Sequence, residues 1–388
     1  MKHILLTSFS GSFGGMEIRM LQEAQLLLNS GYKVTILINA FNGIDKFRDK
    51  LPQGVKLHVK RIPYFLENWN HWRLKKFLAY FFYKRFFKRV KPDIVHVFLC
   101  WTTYGLTHLW GASKSGIPTV LSIHNVFLDE ALPEYVETHL HDCFSTCLGG
   151  YGVTNSAREA FVNIFPMTAS KNLTVVPNWV DLNRFSPSLP LKKTLRKDLN
   201  IDENSLVVGC IARLSVQKNI PYLVEAFADI AHQHKNVFLL IVGEGPMYDD
   251  ILKVIADYPH IKDISKVLGF RENVEDFYRV IDIHALLSLR EGFGISTIEA
   301  MASGCIACVT DIPGSNDVVD NDELGLRVPL HDKHKVVEQL SILLENQHRI
   351  EKLRANGLKM VAERYEKHAV ENKILSFYQR LELSTSRK

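Results

Sequence analysis

Residues 288–304 read Ser-Leu-Arg-Glu-Gly-Phe-Gly-Ile-Ser-Thr-Ile-Glu-Ala-Met-Ala-Ser-Gly, and the other elements of the 388-residue chain are ordered around them. The apolar run Ile281–Leu289 reads as a buried strand ending at Ser288. Gly292 and Gly294 then bracket Phe293, a helical run continues to Met301, and Gly304 supplies the stop. A strand, a glycine loop and a helix start together form an anion site. Unpaired backbone N–H groups converge there, at the positive end of the helix dipole. Glu291 and Glu299 flank this site. A diphosphate would repel both, so these carboxylates suit the hydroxyls of a sugar. A plainer reading stays open: Ser296 and Glu299 fit the S-x-x-E capping box, which does no more than begin a helix.

The chain is too long for one ordinary core, so two domains are expected. Forty-seven Lys and Arg against 42 Asp and Glu leave a net charge of +5, with a pI near 8.7. That mild excess suits an anionic substrate or an acidic membrane surface and is too weak to argue for nucleic acid. The six cysteines are scattered. Cys305-Ile-Ala-Cys308 lies in an apolar run, which favours a buried strand over a zinc or redox site. A reducing cytoplasm fits this usage. The N-terminal residues lack the long apolar core of a signal peptide. No run approaches the roughly 18 apolar residues of a membrane span.

Ile4–Thr7 reads as a strand, followed by a polar loop, a helix to about Asn29, a stop at Gly31 and a second strand, Val34–Ile38. This is the βαβ start of a doubly wound sheet. A dehydrogenase fingerprint fails here: the spacing is not G-x-G-x-x-G, and the second strand ends in Asn39 rather than an acid. Residues 68–92 carry eight Lys and Arg (73, 75, 76, 84, 85, 88, 89, 91) and no acid, interleaved with nine aromatics. Leu74, Phe77, Leu78, Phe81 and Phe82 share helical spacing and form one apolar face. One reading buries that stripe in a domain and leaves the lysines solvated. The other lays an amphipathic helix on anionic lipid, with aromatics at the interface and basic groups at the headgroups. Aromatics on more than one face favour the second.

Thr119–Asn125 is another strand, with His124 at its end; a lone histidine in such a place is more often structural. Residues 181–203 are polar with Pro187 and Pro190, a linker composition. Val207–Ala212 opens a second domain and leads to Arg213 and Lys218. Two cations just past a strand suit a diphosphate, the arginine through paired hydrogen bonds and the lysine as a point charge. An ordinary charged surface loop is the alternative.

The 288–304 string resembles the E-x7-E signature of retaining glycosyltransferases of family 4, which have the two-domain GT-B fold. The match takes in Ser288, Glu291-Gly-Phe-Gly294, Glu299-Ala-Met-Ala and Gly304. Other stretches agree. Gly14-Gly15-Met16-Glu17 is similar to the family's GG-x-E loop, with Met16 replacing the commoner alanine. His124 falls on a histidine beside the donor sugar. Tyr151–Ser156 resembles a strand that ends in serine. Pro177-Asn-Trp-Val-Asp181 resembles a Pro-Asn-Gly-Val-Asp junction, with Trp179 in place of glycine. Arg213 and Lys218 match a pyrophosphate clamp. The resemblance covers essentially the whole chain and is strongest from Arg213 onward.

It implies two Rossmann-like doubly wound α/β domains facing a cleft: residues 1–180 for the acceptor, 181–366 for the nucleotide sugar, and a terminal helix, 367–388, crossing back to the first. It implies His124 and Glu291 as catalytic residues. Gly15, Arg213, Lys218, Gly294, Ile295 and Ser296 fall to the donor phosphates, and Glu291, Gly292, Phe293 and Gly294 to the donor sugar. Glu299 falls to the ribose, and Gly269, Phe270 and Arg271 to the base. The expected partners are a nucleotide-sugar donor, UDP-linked ahead of GDP-linked, a glycan or lipid-linked acceptor, and an anionic membrane surface at Asn68–Pro92. No nucleic acid is expected. Without an Asp-x-Asp motif in a suitable loop, neither metal nor cofactor is expected. The alternatives are an epimerase or phosphorylase of the same fold, and a non-catalytic protein that binds nucleotide sugars.

Overall fold

The structure is a computed structural model that describes residues 2–127 and 131–385, with side chains as far as Leu381. The chain divides into two compact units, Met1–Pro177 with Glu371–Lys388, and Asn178–Val370. Residues 386–388, the end of the expected terminal segment, lie outside the described residues.

In the first unit the strands are β1 (His3–Ser8), β2 (Lys33–Ile38), β3 (Lys56–Val59), β4 (Ile94–Leu99), β5 (Thr119–Ile123), β6 (Cys147–Gly152) and β7 (Asn172–Val175). They form one sheet in the order β3-β2-β1-β4-β5-β6-β7, and its pairings are parallel. Parallel strands joined by helices are covered on both faces, which is why β1 and β4 are buried along their whole length. The second unit repeats the plan with β8 (Leu206–Ile211), β9 (Val237–Val242), β10 (Ser265–Val267), β11 (Ile283–Leu286), β12 (Ile306–Thr310) and β13 (Gly325–Val328). Their order is β10-β9-β8-β11-β12-β13, again parallel. Each unit has its own apolar core. The fold is therefore α/β with two Rossmann-like parallel sheets.

Two expectations change, and two other stretches gain detail. Residues 181–203 are not only linker: Leu189–Asp198 is a helix with Pro190 in its first turn, where the missing N–H costs no hydrogen bond. Arg196 on that helix reaches buried Asp282 at 2.5 Å and ties it to the second sheet. The strand before Glu291 is shorter than its apolar run, because Leu287–Arg290 leaves the sheet. The helix in the basic segment, Trp72–Val90, buries Ala79, Tyr83, Phe86 and Phe87. The stripe that the alternative reading would bury stays largely in the open: Leu74, Phe77, Leu78 and Phe81 are exposed, and Phe82 is half-buried. Finally, Trp179 is buried, and the neighbouring Val180 donates to the Tyr365 carbonyl at 3.0 Å.

Cys305 and Cys308 are buried at and in β12, and burial pushes both thiols up to about 12. This is the strand reading of the Cys-x-x-Cys run. Asn39 is not idle: its amide clamps the Ser10 backbone, accepting from N–H at 3.1 Å and donating to the carbonyl at 2.8 Å. Among the described residues no helix is long and apolar enough to cross a membrane.

Candidate active site

The order of the second sheet reverses between β8 and β11, and ligands of open α/β sheets gather at the carboxyl ends of strands at such a point. Arg213 follows β8 and Glu291 follows β11. The two loops are stitched together. Leu289 N–H donates to the Gln217 carbonyl at 2.8 Å, and the Gln217 amide donates to the Arg290 carbonyl at 2.9 Å. The Arg213 loop is held from its other side by Leu214 N–H donating to the Glu244 carbonyl at 2.9 Å.

This stitching brings the Lys218 ammonium against Glu291. It donates to both carboxylate oxygens, at 3.1 Å to Oε2 and closer to Oε1. Glu291 is 4% exposed and Lys218 20%. A carboxylate that deep needs a compensating charge, and the lysine supplies it. The sequence had given these two side chains to different parts of a ligand; the fold makes them one ion-paired unit. Arg213 lies exposed on the same loop.

Just beyond, Gly294 takes φ +83° and is the N-cap of the helix Ile295–Ala302. The capping-box alternative does not hold, because the helix begins one residue before Ser296, with no side-chain cap. Ile295 and Ser296 therefore present the first N–H groups of the helix, which have no partner within it. Phe293 is buried edge-on against Tyr365, ring centroids 5.3 Å apart. Its side chain belongs to the core, which leaves its backbone for a ligand.

Glu299 is half-buried, and its Oε2 accepts from the Tyr278 hydroxyl at 3.0 Å. Burial pushes its carboxyl from 4.5 up to about 7, against the pull of that hydrogen bond and of Arg184. The folded state thus holds this proton more tightly than the unfolded chain does. The stabilisation is complete below about 4.5 and is lost as pH rises through about 7. The melting temperature is expected to fall between pH 5 and pH 8, and Glu299→Gln should flatten that fall in scanning calorimetry. An unchanged slope would show the carboxyl to be ionised throughout.

Gly269 follows β10 with φ +66°, its carbonyl accepting from Gly243 N–H at 2.8 Å. Phe270 is 48% exposed, and the Arg271 guanidinium folds back on the Phe270 carbonyl at 2.9 Å.

In the first unit, Gly15 is exposed at the start of the helix Gly15–Asn29, where Glu17 accepts from Gly14 N–H at 3.0 Å. His124 follows β5. Its ring stacks on Phe98, centroids 5.3 Å apart, and its Nε2 pairs with the Ser122 hydroxyl at 2.9 Å. The same hydroxyl meets His96 Nε2 at 2.9 Å, and His96 Nδ1 meets the Tyr378 hydroxyl on the last helix at 2.5 Å. Burial, with Arg19 and His96 nearby, holds His124 well below the usual imidazole range. It is a neutral imidazole at physiological pH.

A family model described as glycosyl transferases group 1 matches residues 192–360, and one described as glycosyltransferase family 4 matches residues 13–184. The chain belongs to glycosyltransferase family 4. Its curated relatives include UDP-Gal:alpha-D-GlcNAc-diphosphoundecaprenol alpha-1,3-galactosyltransferase of Escherichia coli, 25% identical over 84% of each chain. The phosphatidylinositol N-acetylglucosaminyltransferase GPI3 subunit of Saccharomyces cerevisiae is 23% identical over 82% of this chain and 70% of its own. Among solved structures, HepE of Anabaena in complex with UDP and glucose shares the fold. Its TM-score is 0.78 at 16% identity, over 98% of this chain and all of that one.

Three residues of this glycosyltransferase went unremarked in the sequence. Gln217 bridges the two loops, Tyr278 binds Glu299, and Gly314 carries φ +87° where a Cβ would lie 2.2 Å from the Glu291 carbonyl oxygen. Only Gly314 left a trace, as a glycine in a turn after a strand. Gln217 and Tyr278 act on residues distant in sequence, and no local pattern marks them.

Proposed function

We propose that this glycosyltransferase is a retaining enzyme. In this reading it moves a sugar from UDP to a hydroxyl of a lipid-linked acceptor, at the inner face of the cytoplasmic membrane, in envelope polysaccharide synthesis. One observation carries the chemistry: a buried carboxylate–ammonium pair beside a helix N-terminus at the switch point of the second sheet. Arg213, Lys218 and the N–H groups of Gly294, Ile295 and Ser296 take the charge of the departing diphosphate. Glu291 binds the sugar hydroxyls and stabilises positive character at the anomeric carbon, helped by the backbone of Gly292 and Phe293. Glu299 binds the ribose, and Gly269, Phe270 and Arg271 bind the base. His124 contacts the transferred sugar, and Gly15 offers its N–H to a phosphate. The bond from the anomeric carbon to phosphate oxygen breaks, and the acceptor oxygen attacks from the same side. The leaving phosphate takes the acceptor's proton.

Support for the substrates comes from the relatives' names. The Escherichia coli protein is named for a UDP-linked donor and a diphosphoundecaprenol-linked acceptor, and the yeast protein for phosphatidylinositol. UDP at 100 times its dissociation constant should stabilise the enzyme by about 2.7 kcal/mol, with or without EDTA. A thermal-shift panel of UDP, GDP and their sugars checks this, and a shift with GDP alone would reverse the choice of base.

The membrane reading rests on the helix Trp72–Val90. Phe77 is 60% exposed and Phe81 53%, among basic residues that have no acid between them. Binding to phosphatidylglycerol vesicles is expected to weaken steeply between about 0.05 and 0.5 M salt, as screening shortens its reach. Flotation that ignores lipid charge would remove the electrostatic basis.

A further inference from the structure

The first sheet has its own switch point, between β1 and β4. An open cavity of about 760 Å³ lies at this end of the sheet. Phe9, just past β1, and Tyr104, beyond β4, form one aromatic corner with centroids 4.4 Å apart. Leu78 and Phe82 from the helix Trp72–Val90 add apolar lining, on the same helix as the exposed Phe77 and Phe81. Arg61, beyond β3, and Lys75 also line the cavity. Among the described residues neither cation makes a hydrogen bond or an ion pair. Arg61 is exposed and Lys75 half-buried, so water satisfies both while the cavity is open, and an occupant that is both anionic and greasy suits the two cations and the apolar lining together.

Glu67 also lines the cavity, but its carboxyl is already committed. Oε1 accepts from the N–H groups of Gly105 at 3.1 Å and Thr107 at 3.0 Å, and Oε2 accepts from the Thr107 hydroxyl. These groups lie at the start of the helix Leu106–Lys114. Those bonds fix the cavity wall, and burial pushes the Glu67 carboxyl from 4.5 up to about 7, so near neutral pH it opposes an anion with only part of a full charge.

We propose that this cavity is the acceptor subsite for a phosphate-bearing isoprenoid, its phosphate on Arg61 and Lys75 and its first isoprene units against Leu78, Phe82 and Phe9. The proposal rests on the lipid-linked reading of the acceptor and deepens it by naming where the lipid phosphate sits. Leu74, Phe77 and Phe81, exposed on the same helix as Leu78 and Phe82, would let the remaining chain stay in the bilayer.

The test is a direct binding titration of the full-length enzyme with farnesyl phosphate, without vesicles, below the micellar range and without donor. Failure of transfer and failure of the cavity are then separate results. Saturable binding is expected, with farnesol and inorganic phosphate each at least about tenfold weaker. Arg61→Ala with Lys75→Ala should weaken farnesyl phosphate about tenfold or more, the loss of one or two charge-assisted bonds. The exchange Arg61→Lys with Lys75→Arg should restore most of it. Lys33→Ala with Lys50→Ala, exposed and outside both the cavity and that helix, should leave binding unchanged. Circular-dichroism melts, expected to match the parent in every variant, report intact folding. Inorganic phosphate binding as well as farnesyl phosphate would reduce the site to a phosphate cradle and overturn the proposal. So would farnesol binding equally well, or a double alanine variant that binds like the parent.

Discussion

Glu291→Gln is expected to lower turnover by at least about 100-fold, the scale seen when one fixed electrostatic contact to a transition state is removed. The glutamine keeps the volume and one acceptor oxygen but not the charge. With Lys218 unchanged, the phosphate side of the site stays cationic, so the Michaelis constant for donor should move far less than turnover. Stability should fall as well. Removing one partner of a buried pair can cost about 3–5 kcal/mol; here the 20% exposure of Lys218 keeps the cost below that. Lys218→Met supplies the contrast. It strands the carboxylate, which is 4% exposed, and should destabilise more than Glu291→Gln does. The double variant should recover part of the melting temperature but none of the turnover. Steady-state kinetics and calorimetry on the four proteins read both quantities. Turnover left intact in Glu291→Gln would place the chemistry elsewhere.

Gly314→Ala should be nearly as damaging, although Gly314 need touch no substrate. Its φ of +87° strains any side chain, and the added Cβ would sit 2.2 Å from the Glu291 carbonyl oxygen. The backbone strain alone is worth about 1–3 kcal/mol. The clash then pushes the 291–292 backbone away, and Lys218 with it through their hydrogen bonds. A displacement near 1 Å in a catalytic group costs on the order of 100-fold in rate. The expected signature is a loss of turnover together with a lower melting temperature, and UDP binding weakened several-fold. A variant that melts normally and turns over normally would mean that the loops around Glu291 yield freely.

The two parallel sheets were legible from apolar runs punctuated by glycines, because a strand covered on both faces must be apolar along its length. Gly294 and Glu299 were legible for a different reason: a helix that starts just past a strand compresses its chemistry into a few neighbouring residues. The helix Leu189–Asp198 was hidden because Pro187 and Pro190 read as linker, and what holds it is Asp282, distant in sequence. The exposure of Leu74, Phe77, Leu78 and Phe81 was only half legible, favoured by aromatics on more than one face. Helical spacing tells which residues share a face but not whether anything covers it, and in this protein the covered face belongs to Tyr83 and Phe86. The pairing of Lys218 with Glu291 escaped for a similar reason, since it depends on two strands becoming neighbours in the sheet.

The last helix, Lys367–Thr385, starts in one unit, and from Glu371 it belongs to the other. Tyr378 gives His96 its hydroxyl partner, and Phe377 packs edge-on against Tyr151, centroids 5.5 Å apart. A ribosome working from the N-terminus therefore delivers every residue of the second unit before the first can be completed. Until those final turns emerge, the nascent first unit carries an unfilled aromatic socket around His96 and Tyr151. A chain cut short before Glu371 should mature its second half normally and leave its first half prey to proteases.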